Sequence, residues 1–107
     1  MPNDKLLALL GFASKASAIG CGFEAVKESL KRKKARMVIE ANDLSQKSRK
    51  EIAFFAKDTK IFTIDSIDSD TLSHAVGRKC AVVCINDDSF AKGCLKALNE
   101  GGNANDQ

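Results

Sequence analysis

The side chains best suited to bind an anion lie between Gly20 and Arg36, where the sequence is GCGFEAVKESLKRKKAR. Phe23, Val26 and Leu30 follow the two glycines at spacings of three and four, which is typical of one face of an α-helix. Projection at about 100° per residue places a second, polar face beside this apolar stripe. Its members are one carboxylate and three ammonium groups, from Glu24, Lys27, Lys31 and Lys34.

The glycines before this helix indicate a site for a phosphate group. Gly20 and Gly22 carry no side chain that could cap the helix, so its first backbone N–H groups stay free at the positive end of the helix dipole. Phosphate groups commonly bind at such a helix start. The row of lysines would add phosphate contacts, and the carboxylate could accept from base-edge N–H groups. This stretch therefore predicts RNA binding.

The charge distribution also favours a polyanionic partner. Residues 1–50 hold 11 Lys or Arg against 5 Asp or Glu, whereas residues 51–107 hold 6 against 9. A positive field concentrated in one half of a chain favours a polyanion on that side. The cations of residues 31–34 (KRKK) and Arg36 are denser than a helix end requires, which favours a phosphate-contacting patch over a solvated face.

Three further cations stand at the start of the next predicted helix, where they oppose the helix dipole. Their position suggests an external anion near this helix as well. They are Lys47, Arg49 and Lys50.

A nucleotide-binding module is the alternative function. Gly20-x-Gly22-x-x-Ala25 matches the loose dinucleotide fingerprint, with Glu40 standing twenty residues after Gly20 as the ribose ligand. The very short preceding strand, the short chain and the run of cations count against it. A third alternative is a protein-interaction domain that has lost RNA affinity.

Other side chains with chemical potential lack partners. His74 is the only histidine and has no cysteine at a metal-binding spacing. A serine nucleophile would need this histidine as its base, and no pattern marks such a pair. We therefore expect no catalytic residue, no metal site and no cofactor.

The four cysteines are interpreted as small core residues rather than disulfides, which favours a reduced, cytoplasmic protein. No apolar run approaches the ~20 residues of a membrane span, and no signal peptide pattern opens the chain. The cysteines are Cys21, Cys80, Cys84 and Cys94.

The elements that must position these residues alternate between helices and short apolar strands. This alternation predicts an α/β fold, a three-layer α/β/α sandwich with a small mixed, mostly parallel sheet. Residues 1–99 are predicted to form a single domain, and residues 100–107 a disordered tail. The predicted helices cover 4–15, the stretch after Gly22 to about 33, the stretch after Ser45 to about 57, 70–76, and a last helix after the turn 86–89. The turns 42–45 and 65–69 carry candidate N-cap residues for the third and fourth helices. Gly77 is expected to end the fourth helix in the left-handed conformation. The predicted extended segments are 17–19, 35–41, 60–64 and 80–85.

From about Leu6 to Leu98 the chain resembles the kink-turn-binding ribosomal protein superfamily, of the L7Ae and L30e type, and most closely its small bacterial members. The order and spacing of four motifs carry this resemblance. The motifs are Gly11–Lys15 (GFASK), Gly22–Lys27 (GFEAVK), Lys34–Ser45 (KARMVIEANDLS) and Leu72–Arg78 (LSHAVGR).

The resemblance implies an α/β/α sandwich that binds a kinked RNA helix at tandem sheared G·A pairs. Glu24 and Lys27 match the Glu and Lys of the family's Asn-Glu-x-x-Lys motif, so Glu24 would accept from guanine N–H groups and Lys27 would reach a guanine oxygen or a phosphate. The family's loop over an extruded base corresponds to Val76–Lys79 (VGRK). Phe23 replaces the motif's Asn and lacks its amide. Phe23 either stacks on the RNA or joins the core stripe.

Together these observations predict a non-catalytic protein that binds structured RNA of ribosomal type, not DNA or a membrane, and that is a monomer when free. The predicted RNA-binding residues are Gly20, Gly22, Phe23, Glu24, Lys27, Lys31, Lys34, Arg36, Val76, Gly77 and Arg78.

Overall fold

The computed structural model describes residues 3–101, and these residues form five helices and a four-stranded sheet. None of the helices within residues 3–101 is long and apolar enough to cross a membrane. The elements are α1 (Asp4–Lys15), β1 (Ile19–Cys21), α2 (Phe23–Lys31), β2 (Met37–Ala41), α3 (Gln46–Ala56), β3 (Lys60–Ile64), α4 (Ser69–Val76), β4 (Val82–Ile85) and α5 (Asp88–Gly101).

The helices cover both faces of the sheet, which confirms the predicted three-layer architecture. Side chains of the central strands alternate between two cores, as expected when both faces are buried. Val38 and Val82 face the core under α2 and α3, whereas Ile39 and Val83 face the core under α1, α4 and α5.

The sheet order is β1-β4-β2-β3. β2 and β3 pair in parallel, but β4 pairs antiparallel with both of its neighbours. The predicted mixed sheet is therefore confirmed, whereas the expectation that it is mostly parallel is wrong.

The cause of this difference lies in α4, which does not carry the chain across the sheet. Ile67, just before α4, accepts from the N–H of Asn42 at 2.8 Å, and Ala81, just before β4, accepts from the N–H of Ala41 at 2.9 Å. Both ends of the α4 connection thus lie at the carboxyl end of β2. Because the chain re-enters the sheet at the edge where it left, β4 must run in the opposite direction.

Capping residues predicted from the sequence occupy their expected positions. The Ser45 hydroxyl accepts from the N–H of Ser48 at 3.2 Å, and Asp68 accepts from the N–H of Thr71 at 2.8 Å. Gly77 ends α4 in the left-handed conformation, with φ 77°.

Helix α2 ends earlier than its charge pattern suggests, at Lys31. Lys33 has a φ of 59°, its N–H bonds to the carbonyl of Leu30 at 3.1 Å, and the N–H of Lys34 bonds to the carbonyl of Ser29 at 2.9 Å. This is the Schellman pattern of a helix end. Lys34 therefore lies beyond the helix, and its predicted place on the helical face is wrong.

Helix α5 extends through Glu100 and Gly101, into the predicted tail. The Glu100 carboxylate accepts from the Lys5 ammonium at 2.9 Å, which ties the end of α5 to α1. The rest of the predicted tail, residues 102–107, lies outside the described residues.

A buried ionic network joins β2 to α3. Glu40 is only 3% exposed, and its Oε1 accepts from Arg49 Nη1 at 3.1 Å and from the Thr63 hydroxyl at 3.1 Å. Burial raises the pKa of the Glu40 carboxyl, and the hydroxyl of Thr63 and the charge of Arg49 oppose that rise. The Arg49 guanidinium also donates to three backbone carbonyls, those of Ala41, Asn42 and Leu44.

This network explains the cation at position 49 without an external ligand. Arg49 points back to carbonyl oxygens at the carboxyl end of β2 instead of out to solvent. The prediction of an external anion is therefore wrong for Arg49.

Candidate nucleic-acid interface

Helix α2 begins without a capping side chain. Its N-cap residue is Gly22, at φ 92° and ψ 165°, and the first intrahelical bond runs from the N–H of Val26 to the Gly22 carbonyl at 3.0 Å. The N–H groups of the first turn therefore have no acceptor within the helix. The N–H of Gly22 bonds to the carbonyl of Val82 at 2.8 Å, which fixes this open helix start to the first residue of β4.

Replacing Gly22 by alanine is expected to lower the free energy of unfolding by about 1–3 kcal/mol, because this backbone region is essentially restricted to glycine. A new Cβ would meet no atom within 4 Å, so the loss would come from the backbone alone. Gly93→Ala in α5 is the matched control, since its Cβ would only reach Leu9 at 3.6 Å. We expect a gain of about 0.5–1 kcal/mol for that control. Urea melts measure the change in the free energy of unfolding for both variants. Equal changes would contradict the claim that the backbone conformation at position 22 requires glycine.

Gly20 serves packing. It lies in β1 beneath α2, where a Cβ would come within 2.9 Å of Cys84 Sγ. A Cβ at this position would therefore crowd the Cys84 side chain of the neighbouring strand β4, and packing within the sheet favours glycine here.

The loop after α4 is held tightly at both ends. The carbonyl of Val76 accepts from the Ser14 hydroxyl at 2.9 Å, and the Ser73 hydroxyl both accepts from the N–H of Cys80 at 2.8 Å and donates to its carbonyl at 2.9 Å. Cys80 thereby stays outside β4, which begins two residues later than predicted. Residues 77–79, between these two ends, are exposed. No pattern in the sequence marks Ser73 for this role.

This loop lies beside the start of α2. Burial raises the pKa of the Cys21 thiol, while the charge of Arg78 and the side chain of Cys80 lower it. Cys21 pairs with Val83, and the N–H of the next residue, Gly22, bonds to the Val82 carbonyl at 2.8 Å, so the segment that leads from the loop into β4 runs beside the open helix start. The two segments predicted to bind RNA thus meet on one edge of the sheet.

Lys27 lies over aromatic rings at this edge. Its Nζ is 5.9 Å from the centroid of Phe23 and 5.3 Å from that of Phe55 in α3, within the range of a cation–π contact. The Phe23 ring is half-buried and packs against the core under α2 and α3, as the core interpretation predicts. Glu24, one residue later, is exposed.

Other predicted RNA-binding residues lie apart from this edge. Arg36 precedes β2 at the opposite edge of the sheet, where its N–H bonds to the Ile85 carbonyl at 2.7 Å and its guanidinium pairs with Asp88 at 3.1 Å. Lys31 and Lys34 are exposed but stand at the far end of α2. The side chain of Val76 is buried in the core under α1, α4 and α5.

The structure does not favour the nucleotide alternative. Glu40, its predicted ribose ligand, is buried and bonded to Arg49 and Thr63. Within residues 3–101, no group of three or more His, Cys, Asp or Glu side chains is placed to hold a metal ion.

Fold and site together define a small α/β/α protein with an open, basic helix start. The family model of the Ribosomal protein L7Ae/L30e/S12e/Gadd45 family matches residues 4–96. The chain belongs to this family, which confirms the resemblance found in the sequence. No curated protein sequence matches the chain significantly.

Two solved structures share the fold. The structure of a protein with unknown function from Bacillus halodurans C superposes with a TM-score of 0.81 at 21% sequence identity, covering 90% of this chain and 98% of that chain. The Giardia lamblia 15.5kD RNA binding protein superposes with a TM-score of 0.72 at 18% identity, covering 94% of this chain and 88% of that one.

Proposed function

We propose that this protein is a non-catalytic RNA-binding protein that docks structured RNA on the edge formed by the start of α2 and the loop 77–79. The observation that carries the proposal is the uncapped N-terminus of α2, held by the Gly22–Val82 hydrogen bond beside the strand that the loop with Arg78 leads into. A helix start with free N–H groups beside a guanidinium suits a phosphate group. Lys27 extends the positive surface along α2.

The chemistry of this edge matches a folded RNA with exposed guanine edges. The exposed carboxylate of Glu24 can accept from guanine N–H groups, and the ammonium of Lys27 can donate to a guanine oxygen or a phosphate. Family membership supports this assignment, as does the fold shared with the RNA binding protein of Giardia lamblia. A kink-turn with tandem G·A pairs is therefore the RNA that we propose as ligand.

The proposal includes a cytoplasmic location, ribosomal or other structured RNA as the partner, and a monomeric free protein. All four cysteines are free, which fits a reducing compartment. A single domain over residues 1–99 completes the proposal.

Titration with a kink-turn, and with a control in which Watson–Crick pairs replace the G·A pairs, tests this function. We expect the kink-turn to bind at least about tenfold more tightly, because one lost base-edge contact costs about 1–3 kcal/mol. Equal binding of both RNAs would contradict kink-turn recognition. If neither RNA binds and micromolar dinucleotide raises the melting temperature, the nucleotide alternative is correct. If neither ligand binds, the protein-interaction alternative gains support.

A further inference from the structure

Helix α3 carries a basic face around an exposed aromatic ring. Phe54 is 73% exposed, more than any other large hydrophobic residue among those the structure describes. Lys47 and Lys50 precede it at helical spacings of seven and four, so all three side chains share one face. Both lysines are exposed. We name these three residues the α3 face.

The two lysines of this face lack a structural explanation. Among the ion pairs between described residues, none involves Lys47 or Lys50. The first turn of α3 holds no acidic residue, so the positive end of the helix dipole adds to their charge. Glu51, half-buried, is the nearest carboxylate along the helix. Unlike Arg49, these two cations pair with no carboxylate among residues 3–101 and stay available to an anion.

The α3 face is continuous with the edge proposed to bind RNA. The Phe54 and Phe55 rings meet edge to face, with centroids 5.2 Å apart and an interplanar angle of 86°. Lys27 of α2 lies over the Phe55 ring of this pair, with its Nζ 5.3 Å from the centroid. Phe54 is therefore connected to Lys27 through a single ring, that of Phe55.

We propose that the α3 face binds a single-stranded segment extending from the docked RNA, with one base stacked on Phe54 and phosphates on Lys47 and Lys50. This inference rests on the proposed function, since Lys27 connects the two surfaces. A single exposed ring between cations is the arrangement that binds unpaired nucleotides, because any base can stack and the backbone is anionic. One ring is too small for an apolar protein interface.

The test uses the 107-residue protein and three RNA probes. The first is a kink-turn, the second is the same kink-turn with about ten unpaired uridines at one end, and the third is an oligouridine of about ten nucleotides. About ten nucleotides lies within the range of known single-strand binding sites. Phe54→Ala is expected to weaken binding of the extended RNA about tenfold and to leave the unextended kink-turn unaffected. Phe54→Tyr should restore binding. Phe12→Ala is the matched control, since Phe12 is 60% exposed but lies on α1, across the sheet.

The outcomes separate this inference from the proposed function. If the extension adds no affinity, or if Phe54→Ala and Phe12→Ala behave alike, the inference is overturned while kink-turn binding stands. If the kink-turn fails to bind but oligouridine binding still depends on Phe54, the α3 face stands and the proposed docking edge fails. Phe54-dependent sedimentation with phosphatidylglycerol vesicles, without any effect on RNA, would assign the face to a membrane surface and overturn the inference.

Discussion

Replacing Arg49 by alanine is expected to lower the free energy of unfolding by about 3–5 kcal/mol, because it leaves the buried carboxylate of Glu40 without its cation. The variant also loses the donors to the carbonyls of Ala41, Asn42 and Leu44. Small domains are stable by about 5–15 kcal/mol, so this change would remove a large part of the total.

Chemical denaturation measures the Arg49→Ala effect, with Lys50→Ala as the control. Lys50 is the next residue along the helix but exposed, so its change should stay within about 0.5 kcal/mol. Arg49→Lys should not restore stability, since an ammonium cannot reproduce the guanidinium fork. A loss below about 1 kcal/mol for Arg49→Ala would show that the network is solvated rather than buried.

The Arg49→Ala variant should also recover stability in acid. Burial raises the folded-state pKa of Glu40 above its ordinary value of 4.5, and removing Arg49 takes away one opposing influence. A raised carboxyl pKa means that the folded state binds the proton more tightly than the unfolded state does. The stability of the variant relative to wild type should therefore rise as the pH falls from 7 through the folded pKa of Glu40 toward 4.5. A pH-independent difference would contradict the role of Glu40.

The double variant Lys27→Ala with Arg78→Ala is expected to weaken kink-turn binding about a hundredfold, since a hydrogen bond from a charged group contributes about 1.5–3 kcal/mol. If both cations contact phosphates, the log–log salt slope should also flatten by about 0.7–0.9 per contact. Filter binding over a range of salt concentrations measures both quantities.

Lys92→Ala with Lys96→Ala is the matched control for this double variant. Both lysines are exposed on α5, which covers the opposite face of the sheet. The control removes the same net charge and should leave affinity and slope nearly unchanged. A similar loss in both double variants would mean that RNA responds to net charge rather than to this edge. Thermal melts are needed beside the titrations, because Lys27 also covers Phe23 and Phe55.

The positions of the helices and strands could be predicted from the sequence because their signals are local. Apolar periodicity located α1 and β3 at the residues that the structure shows, and Ser45, Asp68 and Gly77 occupy their predicted caps. The direction of β4 could not be predicted this way. It depends on the bonds of Ile67 and Ala81 to the end of β2, which are contacts between distant parts of the chain.

The same division holds for the candidate site. The open start of α2 follows from Gly22 and the residues after it, so the sequence alone was enough to locate it. Arg36 belonged to the same charge run, but the left-handed turn at Lys33 directs the chain to the other edge. The Ser73 clamp and the exposure of Phe54 depend on packing between elements, and no spacing rule reveals them.

The reversed direction of β4 has a consequence for how such a protein can diversify. Had β4 run parallel to β2, Arg78 would enter the sheet at the far edge, one strand length from Gly22. The antiparallel arrangement instead brings the start of α2 and the loop 77–79 together at one end of the sheet. Their exposed side chains belong to neither of the two cores. Substitutions of the exposed side chains here, such as Glu24 and Arg78, can accumulate at little cost to folding, so descendants of one scaffold can exchange one ligand for another while the interior stays the same.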